Sequence, residues 1–359
     1  MKLVMTLLAR NEADIVDAQL AFHLNAGVDF VIATDNASDD GTTEILERYE
    51  RAGRLHLIHE RGKDMRQGEW VTRMARLAAT EFGADWVINS DADEFWWPRG
   101  GTLAEVLETI PERFGVVRGC WRHFLPRPEA EQLFAERMTV RLCKPAFSGD
   151  KETIFHAHQK VAHRGVGDVE VEGGNHNAEG TGLEALRAWH PIEVLHFSLR
   201  SVEQVASKSR GGWLRNEAYD PPAHQIRLND AAAADTVDRF YDSVVVNDEA
   251  LRTGIADGTL AVDTRLRDAL RLLRSAEGAF GVPTPGKSCP LSFAAPAVPE
   301  AAAFAAEVST LAEIDGVVRA ERRVLALENR LEAFEVSGLS RGLSVRASRL
   351  IHRRRLAPR

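Results

Sequence analysis

Residues 89–98 read Asn-Ser-Asp-Ala-Asp-Glu-Phe-Trp-Trp-Pro. The apolar run 84–88 before them predicts a buried strand, and the carboxylates Asp91, Asp93 and Glu94 follow it. Carboxylates this close repel one another unless a cation lies between them, and Mg²⁺ and Mn²⁺ prefer carboxylate oxygens. Because ligands of open α/β sheets bind beyond the carboxyl ends of the strands, the stretch predicts a metal that holds a nucleotide diphosphate. The alternative is a solvated acidic turn that caps the next helix.

The residues before this stretch alternate between strand and helix patterns. The predicted strands are residues 2–9, 28–34 and 55–59, and the predicted helices are 15–26 and 43–51. This alternation predicts a doubly wound, mostly parallel sheet with helices on both faces. Polar clusters follow the strands and should meet at one edge of that sheet.

Four motifs in this region make the pattern specific. They are Ala9-Arg10-Asn11-Glu12, Asp35-Asn36-x-Ser38-x-Asp40-Gly41-Thr42, Gln67-x-x-Trp70, and Trp86-Val87-Ile88-x-x-Asp91-Ala92-Asp93-Glu94-Phe95. In this order they resemble a family 2-type glycosyltransferase with the GT-A fold, in the branch with Arg-Asn-Glu and Asp-Ala-Asp-Glu-Phe motifs. The resemblance covers roughly the first hundred residues and is loose beyond about residue 120.

The resemblance implies a metal-dependent, inverting enzyme that moves a sugar from a nucleotide-sugar to a hydroxyl of a saccharide or other acceptor. The residues it implies for the nucleotide-sugar are Arg10, Asn11, Glu12, Asp35, Asn36, Ser38, Arg66, Gln67, Arg73 and Asp91. Ordinary alternatives stay open. Asp35 and Ser38 are also typical of turns and helix caps. Arg10 could pair with Glu12, and Arg66 and Arg73 could coat a solvated helix face.

The expected cofactor is Mn²⁺ or Mg²⁺, bound by Asp91, Asp93 and one histidine. Six of the 12 histidines fall within residues 156–196, and neutral imidazole is an acceptable ligand for Mn²⁺. His196 is the first choice, because an apolar strand there meets the polar start of a helix, and His176 is the second. A single histidine of this kind is more often a structural hydrogen-bonding residue.

The catalytic base is not identified by any motif. Inverting transfer needs a group within about 3 Å of the acceptor hydroxyl. The acidic candidates are Asp150, Glu152, Asp168, Glu170, Glu172 and Glu193.

Composition excludes several classes. The 359 residues carry a net charge of −8, which argues against a general nucleic-acid binder. No apolar run approaches the roughly 20 residues that span a bilayer, and the apolar N-terminus is expected to be a strand and not a signal peptide. Cys120, Cys143 and Cys289 form no zinc or disulfide pattern, so we expect a cytoplasmic enzyme.

Beyond the metal motif we expect a helix at 102–110 and strands at 116–121 and 138–142 that extend the sheet. The predicted domains are a GT-A-like domain at 1–210, a helical extension with a Pro/Ala-rich linker at 211–299, and a helix with a basic tail at 300–359. Residues 199–280 are mainly helical in pattern, and Lys208, Arg210 and Arg215 make this stretch basic. They could hold phosphates or form a solvated face.

The C-terminal helix is predicted at about 300–336. Apolar residues recur at heptad spacing within residues 317–334, which favours a homodimer or an amphipathic helix packed on its own chain. The segment 337–359 contains seven arginines and no acidic residue, leaving a charge of −15 for the rest. A basic tail with interleaved apolar residues is typical of peripheral contact with the inner face of a membrane, or of a solvated tail.

Three classes of function remain at this point. The first is the glycosyltransferase. The second is a sugar nucleotidyltransferase, although Leu8-Ala9-Arg10-Asn11-Glu12 lacks the glycines typical of that class. The third is a non-catalytic sugar-binding or scaffold protein. Release of nucleoside diphosphate from a nucleotide-sugar would separate them.

Overall fold

The computed structural model describes residues 1–61, 66–146, 153–187, 189–210, 223–284, 290–293 and 301–336. Asp150, Glu152, Arg215, Cys289 and the tail 337–359 therefore lie outside the described residues. The chain divides into two compact units, Met1–Asp315 and Gly316–Arg359. The domain boundaries expected from the sequence, and membrane contact by the tail, stay predictions.

An eight-stranded mixed sheet forms the centre of the first unit. Its strands are β1 (Leu3–Ala9), β2 (Phe30–Asp35), β3 (Leu55–His59), β4 (Trp86–Asp91), β5 (Glu94–Pro98), β6 (Val116–His123), β8 (Gln159–Arg164) and β11 (Ile192–His196). Their spatial order is β3-β2-β1-β4-β8-β6-β11-β5. The strands β1 to β4 are parallel to one another, and β8 and β5 run antiparallel to their neighbours.

The helices of the described residues are α1 (Val16–Asn25), α2 (Thr42–Arg51), α3 (Gln67–Thr80), α4 (Leu103–Glu108), α5 (Phe134–Arg137), α6 (Val202–Arg210), α7 (Ala223–Ala233), α8 (Val237–Asp242), α9 (Asp248–Ala256), α10 (Arg265–Leu273) and α11 (Ala301–Val336). Helices pack on both faces of the main sheet, as predicted, with α1 in one core and α3 in the other. Alternate residues of β1 enter two cores: Leu3 and Met5 lie in the core with α1, and Val4 lies in the core with α3. Burial on both faces explains why β1 is a continuous apolar run.

Several local expectations hold and others do not. The predicted helix at 102–110 is α4, which begins with a capping box between Thr102 and Glu105. The predicted strand at 138–142 does not extend the main sheet. Its core, β7 (Val140–Leu142), pairs with β12 (Leu260–Val262) in a separate two-stranded sheet. Two more short strands, β9 (Glu170–Val171) and β10 (Ala178–Glu179), pair with each other.

Two strands of the main sheet were missed. β5 begins at Glu94, which was predicted as a carboxylate of the metal motif and not as the start of a strand, and β8 at Gln159–Arg164 lies between β4 and β6. Both are antiparallel insertions whose partners are far away in sequence. Their pairing therefore leaves little local signal.

The C-terminal helix is observed at Ala301–Val336, close to the predicted bounds. Val324, Leu327 and Leu331, three of the heptad positions, are exposed. Pairing of this helix with a second copy stays a prediction. Within the described part of the chain, no helix combines the length and the apolar character needed to cross a membrane.

Buried ion pairs fix β11 to its surroundings. The Glu193 carboxylate lies 2.9 Å from Arg99, 3.4 Å from Arg122 and 2.8 Å from Arg265. Arg265 also contacts Asp263 at 2.7 Å. Burial alone raises the pKa of Glu193, but the three guanidinium groups outweigh burial and lower it to about 2. Glu193 thus ties the central sheet to α10.

Glu193 is expected to make the stability of the fold depend on pH. Its pKa falls from 4.5 to about 2 on folding, so the folded protein binds this proton more weakly than the unfolded chain does. The stabilisation is therefore complete above about pH 4.5 and is lost as the pH falls towards 2. The shift corresponds to about 3 kcal/mol of unfolding free energy. Urea unfolding followed by circular dichroism at several pH values measures it.

Glu193→Gln is the matched control, because its amide does not titrate. The difference in unfolding free energy between the two proteins should shrink as the pH falls from about 5 to about 2.5. A difference that stays constant over that range would contradict the role given to Glu193.

Candidate active site

The register of the parallel strands brings the predicted site residues to one edge of the sheet. Leu8 of β1 lies opposite Asp91 of β4, and Ala9 lies opposite Asp35 of β2. The residues that follow these positions, Arg10 among them, therefore emerge side by side. The strand β4 runs to Asp91 itself, three residues beyond the predicted end.

Asp91 is enclosed by hydrogen-bond donors. Lys160 of β8 donates to Asp91 Oδ2 at 2.5 Å. Asn175 and Gln67 donate to Oδ1 at 3.0 Å and 3.3 Å. Gln67 therefore contacts Asp91, and its predicted contact with a nucleotide-sugar stays a prediction. Lys160 and Asn175 were not among the predicted residues.

Lys160 also pairs with Glu94, the third carboxylate of the motif. Its Nζ lies 3.0 Å from Glu94 Oε1, to which the Trp121 indole donates at 2.8 Å. Burial alone lowers the pKa of Lys160, but Asp91 and Glu94 outweigh burial and raise it above its ordinary value. For Glu94, burial dominates over the attraction of Lys160 and raises the pKa to about 8.

Asp93 has a different set of cations. Lys208 of α6 donates to Asp93 Oδ2 at 2.7 Å, and Arg200 Nη1 lies 3.9 Å from the same oxygen. Burial raises the pKa of Asp93, but the neighbouring positive charges, Lys208 foremost and Arg200 with it, together outweigh burial and hold the pKa far below its ordinary value. Lys208 therefore does not lie on a solvated helix face, one of the two alternatives that the sequence left open.

Glu12 is buried beside these cations. Arg200 pairs with it directly, and Lys208 lies 3.3 Å from Glu12 Oε1. Burial raises the pKa of Glu12. The local pairing of Arg10 with Glu12 that the sequence left open is not found, because Arg10 instead donates to Asn36 at 3.2 Å.

A chain of hydrogen bonds fixes the protonation of His196. His123 Nε2 lies 2.7 Å from the carbonyl oxygen of His156, which can only accept, so His123 Nε2 carries a proton. Burial lowers the pKa of His123 to about 3, so the ring is neutral and its Nδ1 accepts. Nδ1 of His196, 3.3 Å away, must then donate. This leaves the lone pair of His196 on Nε2, which lies 3.9 Å from Asp93 Oδ1.

This arrangement suits a divalent cation. Asp93, Glu94 and His196 each offer one ligand atom, and these atoms lie within 4.8 Å of one another. Burial lowers the pKa of His196 well below its ordinary value, which keeps the imidazole neutral as a metal ligand must be. The hydrogen bond from His196 Nδ1 to His123 Nδ1 orients the His196 ring in the way that outer partners orient metal-binding histidines. The set differs from the predicted one, because Glu94 stands where Asp91 was expected.

The loop after β2 organises the predicted nucleoside pocket. The Asp35 carboxylate accepts hydrogen bonds from Ser38 Oγ at 2.6 Å and from Thr43 Oγ1 at 2.5 Å. Ser38 Oγ also accepts from the backbone N–H of Asn11 at 3.0 Å. These contacts are those of a turn that precedes a helix. Asp35, Ser38 and Asn11 thus shape the loop, and their contact with a nucleoside stays a prediction.

The other predicted residues lie further from this cluster. Arg66 pairs with Glu69 at 3.4 Å, and Arg73 pairs with Glu60 at 2.5 Å, both at the surface. In this structure they follow the solvated-face alternative.

The described acidic candidates for the base do not join the cluster. Asp168 accepts from Thr181, and Glu170 is exposed beside Arg76. Glu172 is exposed on the segment between β9 and β10. The Glu193 side chain lies on the face of β11 opposite to that of His196, since successive strand residues alternate. The base role of these residues stays a prediction without geometric support.

Several aromatic rings lie around His196 and Trp121. Trp121 stacks on His196 with ring centres 4.2 Å apart, and His158 stacks on His176 at 3.5 Å. The ring of Trp121 lies 5.7 Å from that of His176. Trp121 thus contacts both His196 and His176, the second choice for the metal.

Comparison with known proteins supports the class of the chain. A sequence model of glycosyltransferase family 92 matches residues 7–115, well under half of the chain. This stretch contains Arg10, Asp35, Asp91 and Asp93. The glycosyltransferase character predicted from the sequence is confirmed at this level. The family 2-type branch is not confirmed and stays a prediction. No curated protein matches the chain.

Solved structures show related folds at low similarity. TarS from S. aureus, in complex with UDP-GlcNAc, is 12% identical over 65% of this chain and 72% of its own, with a TM-score of 0.33. Glucosyl-3-phosphoglycerate synthase from Mycobacterium tuberculosis, solved with Mn²⁺, UDP-glucose and phosphoglyceric acid, is 21% identical over 38% and 46%, with a TM-score of 0.24. A 4-diphosphocytidyl-2C-methyl-D-erythritol synthase is 14% identical over 46% and 75%, with a TM-score of 0.25. At these TM-scores the similarities carry no argument about function.

Removal of Lys160 should destabilise the protein strongly. Lys160→Met leaves Asp91 and Glu94 without their shared cation, and breaking a buried pair in this way costs about 3–5 kcal/mol. Chemical unfolding in the absence of divalent metal measures the loss.

Lys144→Met is the matched control. Lys144 is 70% exposed and pairs with Glu313 at the surface, so its loss should cost less than about 1 kcal/mol. Equal unfolding free energies for Lys144→Met and Lys160→Met would refute the assignment of Lys160 as the cation of the motif.

Proposed function

We propose that this protein is a metal-dependent glycosyltransferase that moves a sugar from a nucleotide-sugar to an acceptor hydroxyl with inversion. The observation that carries the proposal is the neutral His196 imidazole, whose Nε2 lone pair faces the Asp93 carboxylate at 3.9 Å. This pair lies at the carboxyl ends of the strands, within the fold region where α/β proteins bind ligands. The family match over residues 7–115 supports the same class.

The residues divide into roles by position. Asp93, Glu94 and His196 would hold Mn²⁺ or Mg²⁺, which when bound supplies a Lewis acid that neutralises the leaving diphosphate. Asp91 is held by Lys160, Asn175 and Gln67 and can present an oxygen to the ribose or to the cation.

The loop after β2 supports the nucleoside part of the donor in this proposal. Asp35 and Asn36 would contact the base and ribose, beside Arg10. Asn11 and Ser38 hold the backbone of this loop in place.

Inversion and the hydroxyl acceptor come from the sequence resemblance. Inversion would be tested by the anomeric configuration of the product, read from proton NMR coupling constants. Trp121, stacked on His196, offers an aromatic surface beside the site that suits a sugar ring.

Two other classes are separated by one assay. A glycosyltransferase releases nucleoside diphosphate from a nucleotide-sugar. A nucleotidyltransferase instead releases pyrophosphate from a nucleoside triphosphate and a sugar phosphate. A scaffold protein does neither. A screen of UDP-, GDP-, dTDP- and CMP-sugars with Mn²⁺ identifies the donor before the assay is run.

Asp93→Asn should abolish metal-dependent hydrolysis of the donor. Loss of the negative ligand should lower the rate at least about 100-fold, or about 2.7 kcal/mol of transition-state stabilisation. The amide keeps the shape of the side chain, so thermal unfolding should remain cooperative. Nucleoside diphosphate release, measured with and without Mn²⁺, gives the result.

Asp39→Asn is the control, because the Asp39 side chain is exposed at the same edge of the sheet. It should retain the wild-type rate. Metal-dependent hydrolysis that is unchanged in Asp93→Asn would sink the proposed role of Asp93.

A further inference from the structure

Two cations face Asp93, and they differ in how firmly they are held. Arg200 is buried and donates to both oxygens of Asp14 at 2.6 Å and 2.8 Å and to the carbonyl oxygen of Phe197 at 3.0 Å. It also pairs with Glu12. A guanidinium that is fixed on three sides is a permanent part of the site.

Lys208 is held by fewer groups. In the described part of the chain its Nζ contacts Asp93 at 2.7 Å and Glu12 at 3.3 Å. Its side chain is 25% exposed, whereas that of Arg200 is 1% exposed. A lysine is a point charge on a flexible stem with three rotatable donors. Its position near the last turn of α6 lets the ammonium move while the helix stays in place.

We propose that Lys208 is a transferable counterion, which neutralises Asp93 before the donor binds and then moves its ammonium to the donor diphosphate. The inference rests on the proposed function, because it takes the diphosphate and the divalent cation as the groups that arrive. The sequence left open that Lys208 holds phosphates, and the new element is that Lys208 neutralises Asp93 first and leaves it when the donor arrives.

The physical reason is competition for one carboxylate. Asp93 is the acidic group closest to His196 Nε2, and it is the group that Lys208 neutralises. A divalent cation on Asp93 would place a second positive charge beside the ammonium, and like charges in a desolvated site repel strongly. The diphosphate arrives at the same edge of the sheet and offers Lys208 a new anionic partner.

Lys208 should therefore act in opposite directions on two ligands. It should weaken binding of the metal alone, because it competes for Asp93. It should strengthen binding of the diphosphate, because it contacts the phosphates. By linkage, the metal and the diphosphate then favour each other's binding more in the wild type than in a protein without Lys208.

Titration calorimetry on the full chain tests this with Mn²⁺ alone and with inorganic pyrophosphate in saturating Mn²⁺. Pyrophosphate is chosen because it does not depend on the identity of the base. Lys208→Met should bind Mn²⁺ alone about 10-fold more tightly and Mn²⁺-pyrophosphate about 10-fold more weakly than the wild type, within the usual range of coupling between sites. Lys208→Gln should behave in the same way and guards against misfolding of the methionine variant.

Lys144→Met is the control for loss of an exposed lysine and should change neither affinity. Mn²⁺ affinity that is unchanged or weakened in both Lys208 variants overturns the proposal, since Lys208 would then only support Asp93. Failure of all the proteins to bind Mn²⁺ would overturn it as well. If Mn²⁺ binding responds as expected but no nucleotide-sugar is hydrolysed, the counterion role stands and the proposed function fails.

Discussion

Glu12, Asp91, Asp93 and Glu94 lie buried or half-buried at one edge of the sheet, and a cationic side chain lies beside each of them. Removing a carboxylate from water is costly unless a counterion accompanies it. The positions of β8 and α6 are therefore constrained by charge as well as by packing. β8 places Lys160 between Asp91 at the end of β4 and Glu94 at the start of β5. α6 places Lys208 beside Asp93. The same pairing keeps a dense set of oxygen ligands ready at the strand ends.

A second constraint is the neutral state of His196. The position of β11 between β5 and β6 places His196 opposite Glu94 on one side and opposite His123 on the other. The backbone carbonyl of His156 decides which nitrogen of His123 is protonated, and His123 in turn decides it for His196. These two hydrogen bonds leave the lone pair of the buried His196 ring on Nε2, the nitrogen that faces Asp93. Sheet register and tautomer together create the candidate metal site.

The first hundred residues could be predicted well, because their signals are local. Each parallel strand is a short apolar run that ends in polar residues, so the position of Asp35, Asp91 and Asp93 at one edge follows from the pattern alone. His196 could be singled out because it ends a strand of this kind. The same local reasoning gave the bounds of the C-terminal helix closely.

The rest depends on contacts between distant residues. Lys160 is 69 positions from Asp91, on an antiparallel strand that the alternating pattern did not reveal. Glu94 was grouped with Asp91 and Asp93 in the predicted metal motif, but its burial between Lys160 and Trp121 was not indicated by the sequence. Arg200 is 188 positions from Glu12. A single sequence holds no record of such partners, so the cations of the site could not be assigned to their carboxylates.

The central claim is that Asp93 and His196 bind one divalent cation at this edge of the sheet. The most direct test is a crystal structure with Mn²⁺ and a nucleoside diphosphate, with data collected at the manganese edge. The account predicts an anomalous peak about 2.0–2.3 Å from an Asp93 oxygen and from His196 Nε2. A peak bound elsewhere, or one that excludes His196, would contradict the account.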